Sequence, residues 1–136
     1  MSSSPDSLIQ SAIAAREHSH APYSHFRVGA ALERAPTDGS KATVFTGCNV
    51  ENATYGLTIC AERVAVLKAI SEGATGFARI AIAADTESLT PPCGACRQIL
   101  WEFCGNLEII LANLRGKSET LRLADLFPRP FDSTFL

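Results

Sequence analysis

The sequence lacks the long apolar runs of a membrane-spanning protein. No stretch of its 136 residues approaches the roughly 18 consecutive apolar residues that a transmembrane helix needs. Its opening residues, Met1 to Asp6, contain neither a basic region nor an apolar segment, so no secretory signal is expected. Repeats, low-complexity tracts and linkers are also missing. We therefore expect a cytoplasmic protein with no membrane partner, folded as a single domain over residues 1–136 around one core.

A surplus of positive charge is missing as well. The formal net charge is −2 at pH 7, and the 12 Lys and Arg residues are scattered along the chain. The densest basic cluster is only Arg115 with Lys117. Because proteins that bind polynucleotides usually carry a basic patch that neutralises phosphates, nucleic acid is not an expected partner. A small neutral nucleoside is still compatible with this composition.

The five cysteines are an odd number, and no secretory signal accompanies them. They stand at Cys48, Cys60, Cys93, Cys96 and Cys104. An odd set in a reducing compartment argues against a disulfide framework and favours metal ligation, catalysis or burial. Cys48 lies in an apolar strand and Cys104 at a helix end, and we expect both to be buried bystanders.

Hydrophobic periodicity and turn residues predict elements in the order α-β-β-α-β-α-β-α. The expected bounds are a helix over 5–19, strands over 28–33 and 43–50, a helix over 61–72, a strand over 80–83, a helix over 94–104, a strand over 107–112 and a short helix over 121–127. The turn residues Pro36 to Ser40 predict an antiparallel hairpin between the first two strands. This order predicts a three-layer α/β/α domain with a mixed sheet.

Two short segments carry residues that can hold a metal ion, one around Cys60 and one around Cys93 and Cys96. Each places cysteine at the predicted start of a helix, where the positive end of the helix dipole lowers thiol pKa and favours thiolates. Cys93 and Cys96 are three residues apart, so their sulfurs can share one face of the helix. Three protein ligands with a fourth position left for water are typical of a catalytic zinc site.

Glu62 follows Cys60 by two residues and should therefore point to a different side of the helix, beside the metal rather than at it. A C-x-E segment about 30 residues before P-C-x-x-C matches the signature of zinc deaminases in their three-cysteine form. Zn²⁺ with three thiolates carries a net charge of −1, which Arg63 can offset by donating hydrogen bonds to sulfur. Buried cysteines or half of a structural zinc site are the alternatives for the isolated C-x-x-C.

With these motifs the chain resembles the small, homotetrameric, zinc-dependent cytidine deaminase family, from about Pro22 to Phe131. Besides the two zinc segments, the matching segments are P-Y-S-H-F-R-V-G-A-A over 22–31 and N-V-E-N-A over 49–53. The ending L-F-P-R-P-F over 126–131 is similar to the family's L-L-P-x-x-F, with Phe127 in place of the usual leucine. The resemblance also implies a fifth strand, and Ser118 to Arg122 is the expected place.

The resemblance further implies the residues that bind substrate. Asn49 and Glu51 would hold the ribose hydroxyls, Phe26 would pack against the pyrimidine, and the backbone of Ala61 and Glu62 would contact the amide edge of the base. In the family the last phenylalanine of the tail reaches a neighbouring subunit's active site, and a tyrosine lies near the subunit interface. Those positions match Phe131 and Tyr55, so a homotetramer with shared sites and one zinc per chain is expected.

The expected reaction is hydrolytic deamination of cytidine and deoxycytidine in pyrimidine salvage, with Glu62 carrying a proton from water to the base and then to departing ammonia. Three rival functions stay open. The first is a deaminase of a modified cytosine nucleoside such as blasticidin S, which Glu51 in the N-V-E-N-A context disfavours. The second is an editor of cytosine in polynucleotide, which the charge balance disfavours. The third is a catalytically silent zinc module, in which Glu62 would have no purpose.

Overall fold

The computed structural model of the chain describes residues 4–37, 39 and 41–136. Its elements in chain order are α1 (Pro5–Arg16), β1 (Val28–Arg34), β2 (Thr43–Cys48), α2 (Ala61–Ser71), β3 (Phe77–Ala84), α3 (Gly94–Cys104), β4 (Glu108–Ala112), β5 (Ser118–Arg122) and α4 (Leu123–Leu126). Short 3₁₀ helices span Tyr55–Leu57 and Ser133–Phe135. Within these described ranges, no helix has both the length and the apolarity to span a bilayer.

The five strands form one mixed sheet in the order β2-β1-β3-β4-β5. β1 pairs antiparallel with β2 and β3, β3 pairs parallel with β4, and β4 pairs antiparallel with β5. A parallel pair needs a long crossover, which the segment containing α3 supplies. The register sets Gly29 opposite Cys48 and Val28 opposite Ala84, so the start of β1 lies beside the ends of β2 and β3. The candidate site is built at this end of the sheet.

Helices cover both faces of the sheet, which confirms the predicted three-layer α/β/α class. α1 packs on one face, burying Leu8 and Ala12 against small and aliphatic strand residues. α2, α3 and α4 pack on the other face over the larger core cluster. Glycines allow the closest contacts: a Cβ on Gly29 would lie 1.9 Å from a backbone oxygen of α1, and one on Gly47 would lie 2.5 Å from a backbone oxygen of α2.

The first helix is shorter than the predicted span of 5–19. It starts as expected, with Pro5 in its first turn and the Ser4 hydroxyl accepting a 3.0 Å hydrogen bond from the Ser7 amide. It ends at Arg16, because the amides of residues 17–19 bond to carbonyls three positions back. The chain thus tightens into turns before Pro22, and the prediction was wrong for this last turn.

The second strand ends at Cys48, two residues before its predicted end at Val50. The side chain of Asn49 takes over the hydrogen bonding there, and Val50 forms only isolated bridges to His20 and Ile59. The fifth strand spans Ser118–Arg122, as the family resemblance implied, and it shortens the last predicted helix to residues 123–126. The predicted turn over 36–40 lies partly outside the described residues, although the hairpin that it predicts is confirmed.

Candidate active site

The first turns of α2 and α3 lie side by side and present the three motif cysteines. Cys60 is the N-cap residue of α2, and Cys93 is the N-cap residue of α3, as the sequence predicted. Neither thiol caps its own helix by a side-chain hydrogen bond. Cys96 lies one turn into α3 and is fully buried. The folding of two separate segments thus brings three sulfurs to one point, near the positive ends of two helix dipoles.

The spacing of these sulfurs fits a tetrahedral metal ion. The Sγ atoms of Cys60 and Cys93 are 3.8 Å apart, those of Cys93 and Cys96 are 3.5 Å apart, and all three lie within 4.8 Å of one another. Zinc–sulfur bonds of about 2.3 Å in a tetrahedron would separate the sulfurs by roughly 3.8 Å. The cluster is therefore a metal site consistent with one zinc ion per chain.

The electrostatics of the cluster favour thiolate. The contact with the Cys96 thiol, followed by that with the Arg63 guanidinium, lowers the pKa of Cys60 to about 5. The same contact raises the pKa of Cys96, so one thiol of the cluster ionises first. Binding of a metal by all three sulfurs would release the remaining protons.

Arg63 lies beside the cluster, where the sequence predicted it. Its Nη2 donates to the Cys60 sulfur at 3.4 Å and to the Thr58 carbonyl at 3.3 Å. The hydrogen bond to Cys60 raises the pKa of Arg63, which stays charged. A fixed cation therefore contacts sulfur and offsets part of the negative charge of a three-thiolate site.

Glu62 is buried at the side of the cluster. Its side chain lies in the first turn of α2 and lines the same cavity as Cys60 and Cys93. Burial, aided by the charge of Cys60, raises the pKa of Glu62 to about 7, because a carboxylate loses hydration there. A buried carboxyl that does not belong to the thiol cluster is a group able to exchange protons beside a metal.

A cavity of about 280 Å³ opens next to the thiol cluster. Its size lies close to the lower end of the range of about 300–1,000 Å³ that is usual for small-ligand sites. Its wall combines apolar surface with a few polar groups, and it is lined by Ser24, Phe26, Val28, Asn49, Glu51, Thr58, Cys60, Ala61, Glu62, Ile82, Thr90, Pro91 and Cys93. The structure thus brings the predicted residues Phe26, Asn49, Glu51 and Ala61 to one cavity with Cys60, Cys93 and Glu62.

Asn49 is buried and joins the end of β2 to the start of β1. Its Oδ1 accepts from the Val28 amide at 2.9 Å, and its Nδ2 donates to the Phe26 carbonyl at 2.7 Å. An amide group has capacity for further bonds on both atoms, so these contacts leave it able to bind a ligand. Phe26, 41 % exposed, extends into the cavity from the segment that Asn49 holds.

Glu51 has structural partners in addition to its place in the cavity wall. Its Oε1 accepts from the amides of Tyr23 at 2.9 Å and Ser24 at 3.2 Å, and its Oε2 accepts from the Ser24 hydroxyl. The Ser24 hydroxyl is the largest cause of a lowered pKa at Glu51. The carboxylate therefore stays ionised, and oxygen lone pairs are left for other donors.

The two residues predicted near a subunit interface lie outside this cavity. Tyr55 is 75 % exposed and meets Tyr23 edge to face, with ring centroids 6.0 Å apart, beside a second cavity of about 380 Å³. Phe131 is 57 % exposed on the tail and stacks on Phe135 at 5.6 Å. Within the described part of the chain, Phe131 lines neither cavity.

Several residues that line the site were not predicted from the sequence. Ser24, Thr58 and Thr90 line the cavity, although Ser24 lay within a matched segment and could have been singled out. Cys48 and Cys104 are outside the thiol cluster, as predicted, but they are half-buried rather than fully buried. Desolvation raises the pKa of Cys104 to about 12, in keeping with an inert thiol.

Three thiols at two helix N-termini, with a buried carboxyl beside them on a three-layer α/β/α domain, define a zinc-binding domain of the deaminase class. The family model for the cytidine and deoxycytidylate deaminase zinc-binding region matches residues 2–112. The chain belongs to this family.

Relatives and solved structures agree with this assignment. The chain is 46 % identical over 127 residues to a cytidine deaminase of Sporosarcina psychrophila, covering 93 % of this chain and 90 % of the relative. It is 49 % identical over 125 residues to a cytidine deaminase of Halalkalibacterium halodurans, covering 91 % of each. The crystal structure of cytidine deaminase from Burkholderia pseudomallei superposes with a TM-score of 0.87 at 45 % identity, covering 95 % of this chain and 100 % of that one.

Proposed function

We propose that this chain catalyses the hydrolytic deamination of cytidine and deoxycytidine to uridine and deoxyuridine, with release of ammonia. The observation that carries the proposal is the convergence of three thiols, the buried Glu62 and a cavity of nucleoside-compatible size at one end of the sheet. The high coverage of relatives described as cytidine deaminases supports the same reaction.

One zinc ion would be held by Cys60, Cys93 and Cys96. Zinc bound there would act as a Lewis acid and lower the pKa of a water molecule towards about 7. Three protein ligands leave a fourth position for this chemistry, whereas structural zinc sites fill all four. The Arg63 contact with sulfur supports the proposal, since it reduces the excess negative charge that would oppose water ionisation.

Glu62 would move the protons of the reaction. It lies in the cavity wall with Cys60 and Cys93, outside the ligand cluster and out of bulk water. From this position its carboxylate accepts a proton from water, donates it to ring N3 and later helps to protonate departing ammonia. One group acting as base and then acid contributes on the order of 10²–10⁴-fold to the rate.

The rest of the cavity would bind the nucleoside. Phe26 offers a ring face to the pyrimidine, and the backbone of Ala61, at the start of α2, offers polar groups to the amide edge of the base. Asn49 and Glu51 would bind the ribose hydroxyls, because a carboxylate accepts hydrogen bonds from hydroxyls and an amide can both donate to them and accept from them. The spare hydrogen-bonding capacity of both side chains supports this assignment.

A nucleoside suits this site better than a nucleotide, a distinction that the family description leaves open. Among the described residues, no Lys or Arg side chain lines the catalytic cavity or the adjoining one. A phosphate in either would instead face the ionised Glu51, with no lysine or arginine side chain in the lining to offset the repulsion. The same absence of basic groups disfavours polynucleotide, and the presence of Glu62 disfavours a silent zinc module.

The active unit would be a homotetramer with shared sites. The exposed rings of Tyr55 and Phe131 support this proposal, because large aromatic side chains are enriched at protein interfaces. Tyr55 lines the second cavity, which shares Ser24, Glu51 and Thr58 with the catalytic cavity. In this arrangement Phe131 would complete the pocket of another subunit.

We further propose that residues 1–136 form a single domain that acts in pyrimidine salvage in the cytoplasm. A single sheet whose two core clusters lie on opposite faces supports one folding unit. With three of the five cysteines in the metal cluster, a disulfide framework is not expected, which is in keeping with a reducing compartment.

The test is an ultraviolet assay of purified protein, with zinc measured in the same sample. Cytidine, deoxycytidine, cytosine, CMP and blasticidin S are offered as separate substrates. We expect turnover of the two unmodified nucleosides, weak or no turnover of the other three, and one zinc per chain. Preference for CMP or blasticidin S, or a zinc-loaded protein without deaminase activity, would contradict the proposal.

A further inference from the structure

The helix that carries two of the cysteines also contacts the C-terminal tail through Arg97. The guanidinium of Arg97 folds back towards the start of α3, where its Nε donates to the Pro92 carbonyl at 2.8 Å. Its Nη1 donates to the Leu126 carbonyl, at the last residue of α4, at 2.7 Å. One side chain therefore joins the peptide unit that precedes Cys93 to the residue from which the tail departs.

Both acceptors are carbonyls that their own helices do not satisfy. The Pro92 carbonyl lies before the N-cap residue of α3, and Leu126 is the last residue of α4, so neither has a hydrogen-bonding partner inside a helix. Pro92 is among the fully buried residues, where an unpaired carbonyl would be costly. The planar guanidinium presents donors in a fixed fork that reaches both carbonyls, which a lysine ammonium on a single flexible stem does not reproduce.

The next residues of α3 hold the tail at two more points. Gln98 Nε2 donates to the Phe131 carbonyl at 2.8 Å, and Trp101 Nε1 donates to Asp132 Oδ2 at 3.1 Å. The first turn of α3 thus contributes to the thiol cluster, while its following turn holds residues 126–132. Of these three side chains, Arg97 is the one that bonds both to the residue before Cys93 and to the start of the tail.

We propose that Arg97 is a positioning residue for the metal site, which fixes the Cys93 sulfur by holding the Pro92–Cys93 peptide against the start of the tail. The proposal rests on zinc ligation by Cys93 as given above. Residues that hold ligands in place typically change metal affinity or activity by about 10–100-fold when they are replaced. Loss of the Arg97 bonds would let the turn before α3 move and so speed release of the ion.

The experiment measures zinc release from the loaded, full-length protein to an excess of a colorimetric chelator. Arg97→Lys, which keeps the charge but not the fork, is expected to release zinc about 10–100-fold faster than the parent protein. Arg97→Gln is the second variant. Its amide can donate to only one of the two carbonyls, so it too should release zinc faster than the parent protein. Gln98→Ala loosens only the tail, and Arg115→Lys changes an exposed arginine that pairs with Asp85; both should release zinc at close to the parent rate.

Far-ultraviolet circular dichroism at the assay temperature separates local from global effects. Faster release from an Arg97 variant that retains the parent spectrum supports the positioning role, as does an altered sulfur-to-cobalt charge-transfer band in the cobalt-substituted protein. Parent-like release and band position in the folded Arg97 variants would overturn it, as would an equal acceleration in Gln98→Ala. If the parent protein itself binds no zinc, the proposed function fails first, and that result is visible before any variant is made.

Discussion

Replacing Gly47 by alanine tests whether the seating of α2 on the sheet sets the geometry of the active site. Gly47 lies in β2 and faces the first turn of α2. A Cβ at this position would lie 2.5 Å from the Ala61 oxygen and 2.6 Å from the Ala65 nitrogen, both of which are backbone atoms. Ordinary contact begins at 3.4 Å, so α2 would have to move away by about 0.9 Å, the difference between 3.4 and 2.5 Å.

This displacement has two expected consequences. Overpacking of this kind costs about 1–3 kcal/mol, so the free energy of unfolding should fall by that amount. Because α2 carries Glu62 and follows its N-cap residue Cys60, catalytic geometry should suffer as well. A misplacement of about 1 Å can lower the rate roughly 10²-fold, so we expect kcat/KM for cytidine to fall on that order in protein that is still folded.

The measurements are urea unfolding followed by circular dichroism, the ultraviolet assay with cytidine, and zinc content. Gly56→Ala is the matched control, since a Cβ on Gly56 meets no atom within 4 Å and its backbone does not require glycine. The control should unfold and turn over like the parent. A Gly47→Ala protein with parental urea midpoint and parental kcat/KM would refute the claim that α2 is seated by this contact.

The other predictions concern the proposed site directly. Alanine in place of any one of the three zinc ligands should lower zinc content and thermal stability together, since metal binding is coupled to folding; retention of one tightly held zinc would remove that residue from the ligand set. Glu62→Gln should keep the fold and the zinc but lose kcat by about 10²-fold or more, because an amide cannot carry the proton, and near-normal turnover would disprove its role. Glu51→Gln should lower kcat/KM for cytidine far more than for free cytosine, whereas equal losses on the two would mean that its bonds to residues 23 and 24 matter only for the fold. Phe131→Ala should raise KM and make activity more sensitive to dilution. Mixing Phe131→Ala chains with inactive Glu62→Gln chains should partly restore substrate affinity. If mixed oligomers form but their activity is only the average of the two parents, the shared-site proposal fails.

Local signals in the sequence were sufficient for the thiol cluster and for most of the elements. Cys60 precedes a run of good helix formers, and the sequence predicted where α2 and α3 begin. The spacing from Cys93 to Cys96 is one helical turn, which brings two sulfurs to one face whatever the rest of the chain does. These inferences depend on neighbours in sequence, and the structure agrees with them.

The fifth strand and the end of β2 depended on partners that are distant in sequence. Ser118–Arg122 is mostly exposed and has little apolar alternation, so its strand character comes from the ladder with β4. Residues 49 and 50 continue the pattern of a strand, but Asn49 turns its side chain to the backbone of the neighbouring segment and ends the pairing. Sequence pattern alone revealed neither feature, because the hydrogen bonds that decide them come from elsewhere in the fold; the fifth strand was expected only from the family resemblance.

The sequence by itself determined the chemistry of the site: which residues can bind zinc, which carboxyl stands beside them, and that helices begin there. Only the tertiary structure decided their geometry. The parallel pairing of β3 with β4 and the antiparallel pairing of β1 with β2 and β3 bring the two helix starts together with the loops that carry Phe26 and Glu51. The bond from Arg97 to Leu126 joins residues 29 apart in sequence, and no local pattern encodes it. Its position is set by packing of the whole chain, where buried carbonyls must find donors in whichever segment lies nearest.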